Sequence, residues 1–295
     1  MSAVLCGTRA SEFDVRNIET PLATRTYQPV AYGQILDHMY EGLLNTPWKV
    51  SNAEYSLGRE GSQLFGIFNL EDRYNRPLID PLPDNWSIPG DAIRPSIGFR
   101  SSHDKSISIG IVVGASVFVC DNMMFNTDGF HAIRKHTKNV FNDIEEMIQR
   151  SLSGATRQYN LLQRDRWCMK NVPVDKLRGY EILGHAYGDK ILTSQQFTSA
   201  AREWEQPSDD FYQYFGGVRN RNAWSLYNAM TYGLKKGSTQ SVINRYMNQH
   251  NWFIDLMGDD NTYTWEALVR DANELILGER EPSRANFVSS DLSQA

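Results

Sequence analysis

Between Ser106 and Val113 the chain alternates, with Ile107, Ile109, Ile111 and Val113 set between Ser106, Ser108, Gly110 and Val112. Successive side chains of an extended strand point to opposite faces, so a period of two lays one apolar face against a core. This is the pattern of an antiparallel sheet solvated on its other side, and it excludes an all-helical fold. Ile97 and Phe99 begin the preceding strand, and His103-Asp104-Lys105 makes the polar turn between the two. Gly114-Ala115 is expected to turn the chain, with Val117 to Cys120 returning as a further strand. Upstream, Trp48–Leu57 and Gln63–Leu70 read as two strands joined by the turn Gly58-Arg59-Glu60-Gly61.

Helical periodicity frames these strands. Pro29 is placed to open a helix whose stripe is Val30, Ile35, Leu36, Met39, Tyr40, Leu43 and Leu44, ended by Asn45-Thr46-Pro47. Five prolines from Arg73 through Pro95, the last being Pro95 itself, demand a surface loop. Phe141, Ile144, Ile148, Ala155, Tyr159 and Leu162 recur at three- and four-residue spacing, which predicts one long helix over Val140–Arg164. Beyond Pro173 the pattern is helical throughout: Asp175–Tyr187, Ser194–Glu203, Asn222–Lys236, Thr239–Gln249 and Thr264–Leu277, the last stopped by Gly278. Segregated strands and helices define an α+β fold, with an antiparallel sheet in the N-terminal half packed on a long helix, then an all-helical C-terminal half. The expected divisions are an irregular N-terminal arm (1–28), a sheet-plus-helix domain (29–170), a helical region (171–278) and a flexible tail (279–295).

A content of 41% hydrophobic and 22% charged residues belongs to a folded globular chain. The longest apolar region, Ile107 to Cys120, is broken by Ser108, Gly110, Gly114 and Ser116 and falls short of the ~20 residues of a membrane span. Ala3-Val4-Leu5-Cys6 is too short for a secretory segment and lacks a basic flank. Cys6, Cys120 and Cys168 form no CxxC pair, so reduced thiols and a cytoplasmic location, in a bacterial host, are expected.

No phosphate-binding loop, dinucleotide-binding turn, HExxH or GxSxG motif is present, so catalysis is not expected. His103, Asp104, His131, His136 and Cys120 are of types that ligate divalent ions. Their spacing is irregular, and His131 and His136, five apart, do not share a helix face. Turn and cap roles are expected for them, with no metal and no cofactor, and Cys120 should be buried and inert. Asp209-Asp210 and Asp259-Asp260 flank helix boundaries, where carboxylates favour helix dipoles. Charge, by contrast, is uneven. From Arg94 through Arg178 there are 13 lysines and arginines against 8 carboxylates, within a chain of 30 against 35. Arg94, Arg100 and Lys105 border the sheet, Arg134, Lys135 and Lys138 lie in the connection, and Arg157 and Arg164 mark the long helix. With Tyr159 and Trp167 interleaved as stacking platforms, this set suits a basic groove for single-stranded DNA. Arg219, Arg221, Trp224 and Lys235-Lys236 form a second basic cluster.

Several of these residues also carry a family resemblance. Arg100-Ser101-Ser102-His103-Asp104, then Gly114 to Cys120-Asp121-Asn122, then His136, resembles the phage- and plasmid-like family "domain of unknown function 932". In that family an Asn-Ser-His-Asp-like turn precedes strands ending in a Cys-Asn or Cys-x-Asn motif. The segment Ala223-Trp224-Ser225-Leu226-Tyr227-Asn228-Ala229-Met230-Thr231 is similar to its C-terminal Tyr-Asn-Ala-x-Thr helix. Ser101 stands where the family usually has Asn, and Asp121 intervenes before Asn122. The resemblance implies carriage on bacteriophages and mobile elements. The order helix, hairpin, further strands, long helix is also similar to single-strand annealing proteins of the Rad52 and Red-beta type, which implies homo-oligomers around a basic groove. Three functional classes follow: a non-catalytic single-stranded-DNA-binding protein of phage DNA metabolism, a phage protein binding a bacterial or phage partner through its acidic helical half, and a metal-dependent enzyme on the His103–His136 cluster. No membrane partner is expected.

Overall fold

The computed structural model, which describes residues 7–74, 93–117, 123–125, 131–136, 140–208, 221–236, 242–260 and 262–277, makes the alternating stretch an inner strand of an antiparallel sheet. The strands are β1 (Thr8–Ala10), β2 (Trp48–Gly58), β3 (Gln63–Asp72), β4 (Ile93–Ser102), β5 (Ile109–Val117), β6 (Met123–Met124) and β7 (His131–Arg134). They run β1-β2-β3-β4-β5-β6, and β7 lines the same edge of β5 along Ile109–Val112. Register places Phe68 beside Ile97 and Ile97 beside Val113, so apolar side chains align across three strands. With Phe99, Ile109 and Ile111 they form one core face, covered by helices α2 (Tyr32–Leu44) and α3 (Val140–Ser153) through Ile35, Leu36, Met39, Ile144 and Ile148. Each such side chain contributes about 1.5–3 kcal/mol by leaving water. Gly66 is needed here: a Cβ on it would lie 2.2 Å from the Phe99 ring, which crosses its strand.

The other face is largely covered as well. Ile67, Val112, Met124 and Phe125 are buried in a second core, built by α4 (Ala155–Asn171), α5 (Lys176–Gly188), α6 (Ser194–Glu205), α7 (Ala223–Leu234), α8 (Val242–Asp260), α9 (Thr262–Ala272) and the π-turn Asn273–Leu277. The glycines and serines that look like an exposed face in the sequence instead permit close approach. A Cβ on Gly114 would meet Phe125 at 2.2 Å. The buried polar atoms on this face satisfy one another, Ser96 Oγ donating to Asn69 Oδ1 at 2.8 Å and Ser116 Oγ to the same atom at 3.0 Å.

The α+β class and the order of its halves are as the sequence implies; several details differ. The chain does not turn at Gly114-Ala115, because Gly114 pairs with Ser96 and Ala115 with Pro95. The return strand Val117–Cys120 lies outside the described residues beyond Val117, as do most of the proline-rich loop and the C-terminal tail. The arm is not irregular throughout. It supplies β1, paired with β2, and the short helix α1 (Glu12–Arg16), closed by a Ser11–Asp14 capping box. Elements this short show no period. The single long helix is two, α3 and α4, separated at Gly154, whose backbone freedom disfavours a helix interior. Helix starts elsewhere follow their caps: Asp175 for α5, Thr193 with Gln196 for α6, and Asn222 with Ser225 for α7.

Candidate functional site

The turn between β4 and β5 folds around Asp104. Its carboxylate accepts the Ser106 backbone N–H at 2.9 Å, bonds the Ser106 hydroxyl, and reaches Arg59 Nη1 at 3.1 Å and Ser62 Oγ at 3.4 Å in the neighbouring β2–β3 turn. Burial works to raise Asp104, but these donors, joined by Ser102, hold it down at about 2. His103 points inward. Its Nε2–H donates to the Val30 carbonyl at 3.0 Å, its ring stacks on Tyr32 with centroids 3.9 Å apart, and its backbone N–H donates to the Ser62 carbonyl. His136 is buried next to it, 3.4 Å from Ser101 Oγ and 5.4 Å from the Tyr27 ring. Burial lowers both histidines, so both are held neutral. His103, Asp104 and His136 thus tie two turns and the segment before α2 together. Among the described residues no three His, Cys, Asp or Glu side chains converge as a metal site would require. Cys120 and Asn122 lie outside those residues, and His131 is described only as backbone of β7.

A second buried polar cluster lies in the helical layer. Asp165 on α4 accepts from His250 Nε2 on α8 at 3.2 Å and from Arg164 Nη2 at 2.8 Å, while His250 Nδ1 lies 3.2 Å from the Tyr227 hydroxyl on α7. Burial pushes Asp165 up, and the bonds from His250 and Arg164 overcome it to hold the carboxylate ionised. Trp224 stacks on Tyr227 at 5.7 Å, and Asn228 Nδ2 donates to the Trp224 carbonyl. Asp165, His250 and Tyr227 have the composition of a proton relay, yet they are 3%, 1% and 0% exposed and admit no substrate. Their chemistry is to pin three helices together.

The basic residues divide between the two ends of the sheet rather than lining one groove. Arg94, near the Ile93 end of β4, donates through Nε to Ser116 Oγ at 3.0 Å. Arg157 is exposed at the start of α4, near the same end, since Tyr159 two residues on donates its hydroxyl to the Ile93 carbonyl. Six residues of strand, about 20 Å, separate Arg94 from Arg100. Arg100 pairs with Gly110, Lys105 sits exposed in the turn with its ammonium 4.7 Å over the Tyr27 ring, and Lys135 is exposed directly after β7. Tyr159 is corrected as a stacking platform: only 3% exposed, its ring has no face to offer a base. Arg164 is committed to buried Asp165, and Trp167 is half-buried against the helical core. Arg134 is described only as backbone, and Lys138 lies outside the described residues. In the second basic cluster, Arg221 covers the Trp204 ring, Lys235 covers Tyr232 and Trp224 is buried; Arg219 is outside.

Beside Arg100 the surface opens into a small cleft lined by Arg100, Gly110, Ile111, Val112, Ile133, Asn244 and Met247. Its floor is β5, its walls are β7 and α8, and Ile133 is 47% exposed on its lip. The sequence profile of the family described as "domain of unknown function (DUF932)" matches residues 22–254. The chain belongs to this family. No curated protein and no solved structure matches it. In this DUF932 chain, His103, Asp104 and His136 of the family-like positions fall into the first polar cluster, Trp224, Tyr227 and Asn228 into the second, and Arg100 into the wall of the cleft. The cleft residues Ile133, Asn244 and Met247 had no separate signal in the sequence: Ile133 lies beside the basic residues of the expected connection, where no strand was foreseen, and Asn244 and Met247 fall within the predicted helix Thr239–Gln249. His250 was equally silent, since its partner Asp165 lies 85 residues away.

Proposed function

We propose that the chain is a non-catalytic nucleic-acid-binding protein that holds single-stranded DNA across the β4–β5 turn end of the sheet. The observation that carries this reading is the cleft with Arg100 in its wall and Lys105 and Lys135 exposed at the same end. Cations gathered at one end of the sheet suit a phosphate backbone, while exposed Ile133 gives a base an apolar surface to rest on. A setting in phage or mobile-element DNA metabolism rests on the resemblance that the family motifs imply. Such binding needs no covalent step and no cofactor. It predicts that Lys105→Glu with Lys135→Glu weakens binding to oligonucleotides of every base sequence at least tenfold, because phosphates carry no sequence information. Arg157→Glu, at the opposite end of the sheet, should leave affinity within about twofold. Equal losses for the two variants, measured by fluorescence anisotropy, would place the DNA elsewhere.

A further inference from the structure

Residues 18–31 join α1 to α2 as a strap with no helix or strand of their own. The strap crosses both turns at one end of the sheet. Ile18 packs over Gly61, where an added Cβ would meet its side chain at 2.8 Å. The Tyr27 hydroxyl donates to the carbonyls of Ser102 and His103, both at 3.1 Å, and Gln28 N–H donates to the His136 carbonyl at 3.0 Å. The Val30 carbonyl receives His103 Nε2–H. Through these bonds the strap is fastened to the sheet at two neighbouring histidines, one on the β4–β5 turn and one after β7.

We propose that His103 and His136 form an acid-released latch that holds the strap closed when both rings are neutral and lets it open when they are protonated. The groups around them set the direction. His103 faces the Asp104 carboxylate beside it, the carbonyls of Glu19 and Val30 from the strap, and the stacked ring of Tyr32 from α2. His136 faces the Gln28 carbonyl, Ser101, the Tyr27 ring and His103 itself. Lys105 stands over the other partner, Tyr27, and Arg59 occupies Asp104 from the β2–β3 turn. Lost hydration opposes charge on either ring more strongly than the carbonyls and Asp104 favour it, and a charge on His103 further opposes one on His136. The folded-state values therefore lie below the ordinary histidine value of about 6.5, so the neutral-state stability is full above that pH and is lost as pH falls toward the folded values. Opening the strap hydrates both rings and frees Lys105 from Tyr27. The device is thus a pH-dependent cover over the end of the sheet that also carries Lys105 and Lys135, and it stands whether or not that end binds DNA.

Hydrogen exchange of the full chain tests it. After correction for intrinsic rates, residues 18–31 should lose protection between pH 7.5 and pH 5 by about tenfold for each pH unit below 6.5 that a depressed histidine must cross, while β3 and β4 keep theirs. His103→Gln with His136→Gln keeps a side-chain amide at each position without a titrating group, so its strap should show the same protection at both pH values. Unchanged protection of the wild-type strap at pH 5 would overturn the latch, as would an undiminished loss in the double variant. Should that variant not fold, ring-proton NMR of the wild type decides instead. Both histidines should titrate below 6.5 in step with strap signals, and titration at or above 6.5 with the strap signals unmoved would reject the proposal.

Discussion

Asp165 shows how much a single buried charge commits the molecule. Its side chain is 3% exposed, and it accepts from Arg164 beside it and from His250 on another helix. Removing the charge while keeping the shape, as in Asp165→Asn, leaves the guanidinium without its counter-ion and the imidazole Nε2 without its carboxylate partner. Breaking a buried pair in this way costs about 3–5 kcal/mol. Urea unfolding should show a loss of that order, and a loss below about 1 kcal/mol would mean that Arg164 simply turns to solvent. Little of this was legible in the sequence. Asp165 and His250 each lie one residue past a helix that the sequence predicts and carry no signal there, because pairing across 85 residues leaves no local trace. His103 and Asp104 were more legible. An Asp in a short polar turn between two apolar strands is expected to accept backbone N–H groups, and Asp104 accepts that of Ser106. What stayed hidden was the inward direction of His103, set by the Val30 carbonyl 73 residues before it.

At the scale of elements, periodicity was a sound guide wherever one face dominates. The alternation of Ile109, Ile111 and Val113 became a buried row of 1%, 2% and 0% exposure against α2 and α3. Ile107 is buried too, but it precedes β5 and packs with Phe65 in a small separate cluster. Ile109→Asp would put a carboxylate into the first core at a cost of several kcal/mol. It should yield unfolded or insoluble protein, and a soluble variant with an unchanged melting temperature would contradict the register. Small residues misled in both directions. Gly114 looked like a turn and is a point of close packing under Phe125, while Gly154, passed over inside a helical stripe, is where α3 ends. A glycine says that a side chain is absent, and only the tertiary neighbours say whether a turn, a break or another residue occupies the space.

Over the whole molecule, the sheet is sandwiched. Helices α2 and α3 cover one face and the C-terminal helices cover much of the other, so the second half of the chain completes the core of the first. Clustering of charge along the sequence did not translate into a groove, because the strand direction carries Arg94 and Arg100 to opposite ends and burial claims Tyr159. The proposed reading is narrower than the sequence suggested, with Arg100 in the cleft wall and Lys105 and Lys135 exposed at the same end of the sheet. A chain of net charge −5 repels DNA at long range, so the proposed binding would have to come from that local patch. The most direct test is the salt dependence of affinity for a single-stranded oligonucleotide, by anisotropy on protein shown folded by circular dichroism. Three phosphate contacts at ~0.7 counterion each predict that log affinity falls with log salt at a slope of about 2, equally for oligo-dT and for mixed sequences. Absence of binding at low salt, or binding that salt does not weaken, would contradict the account.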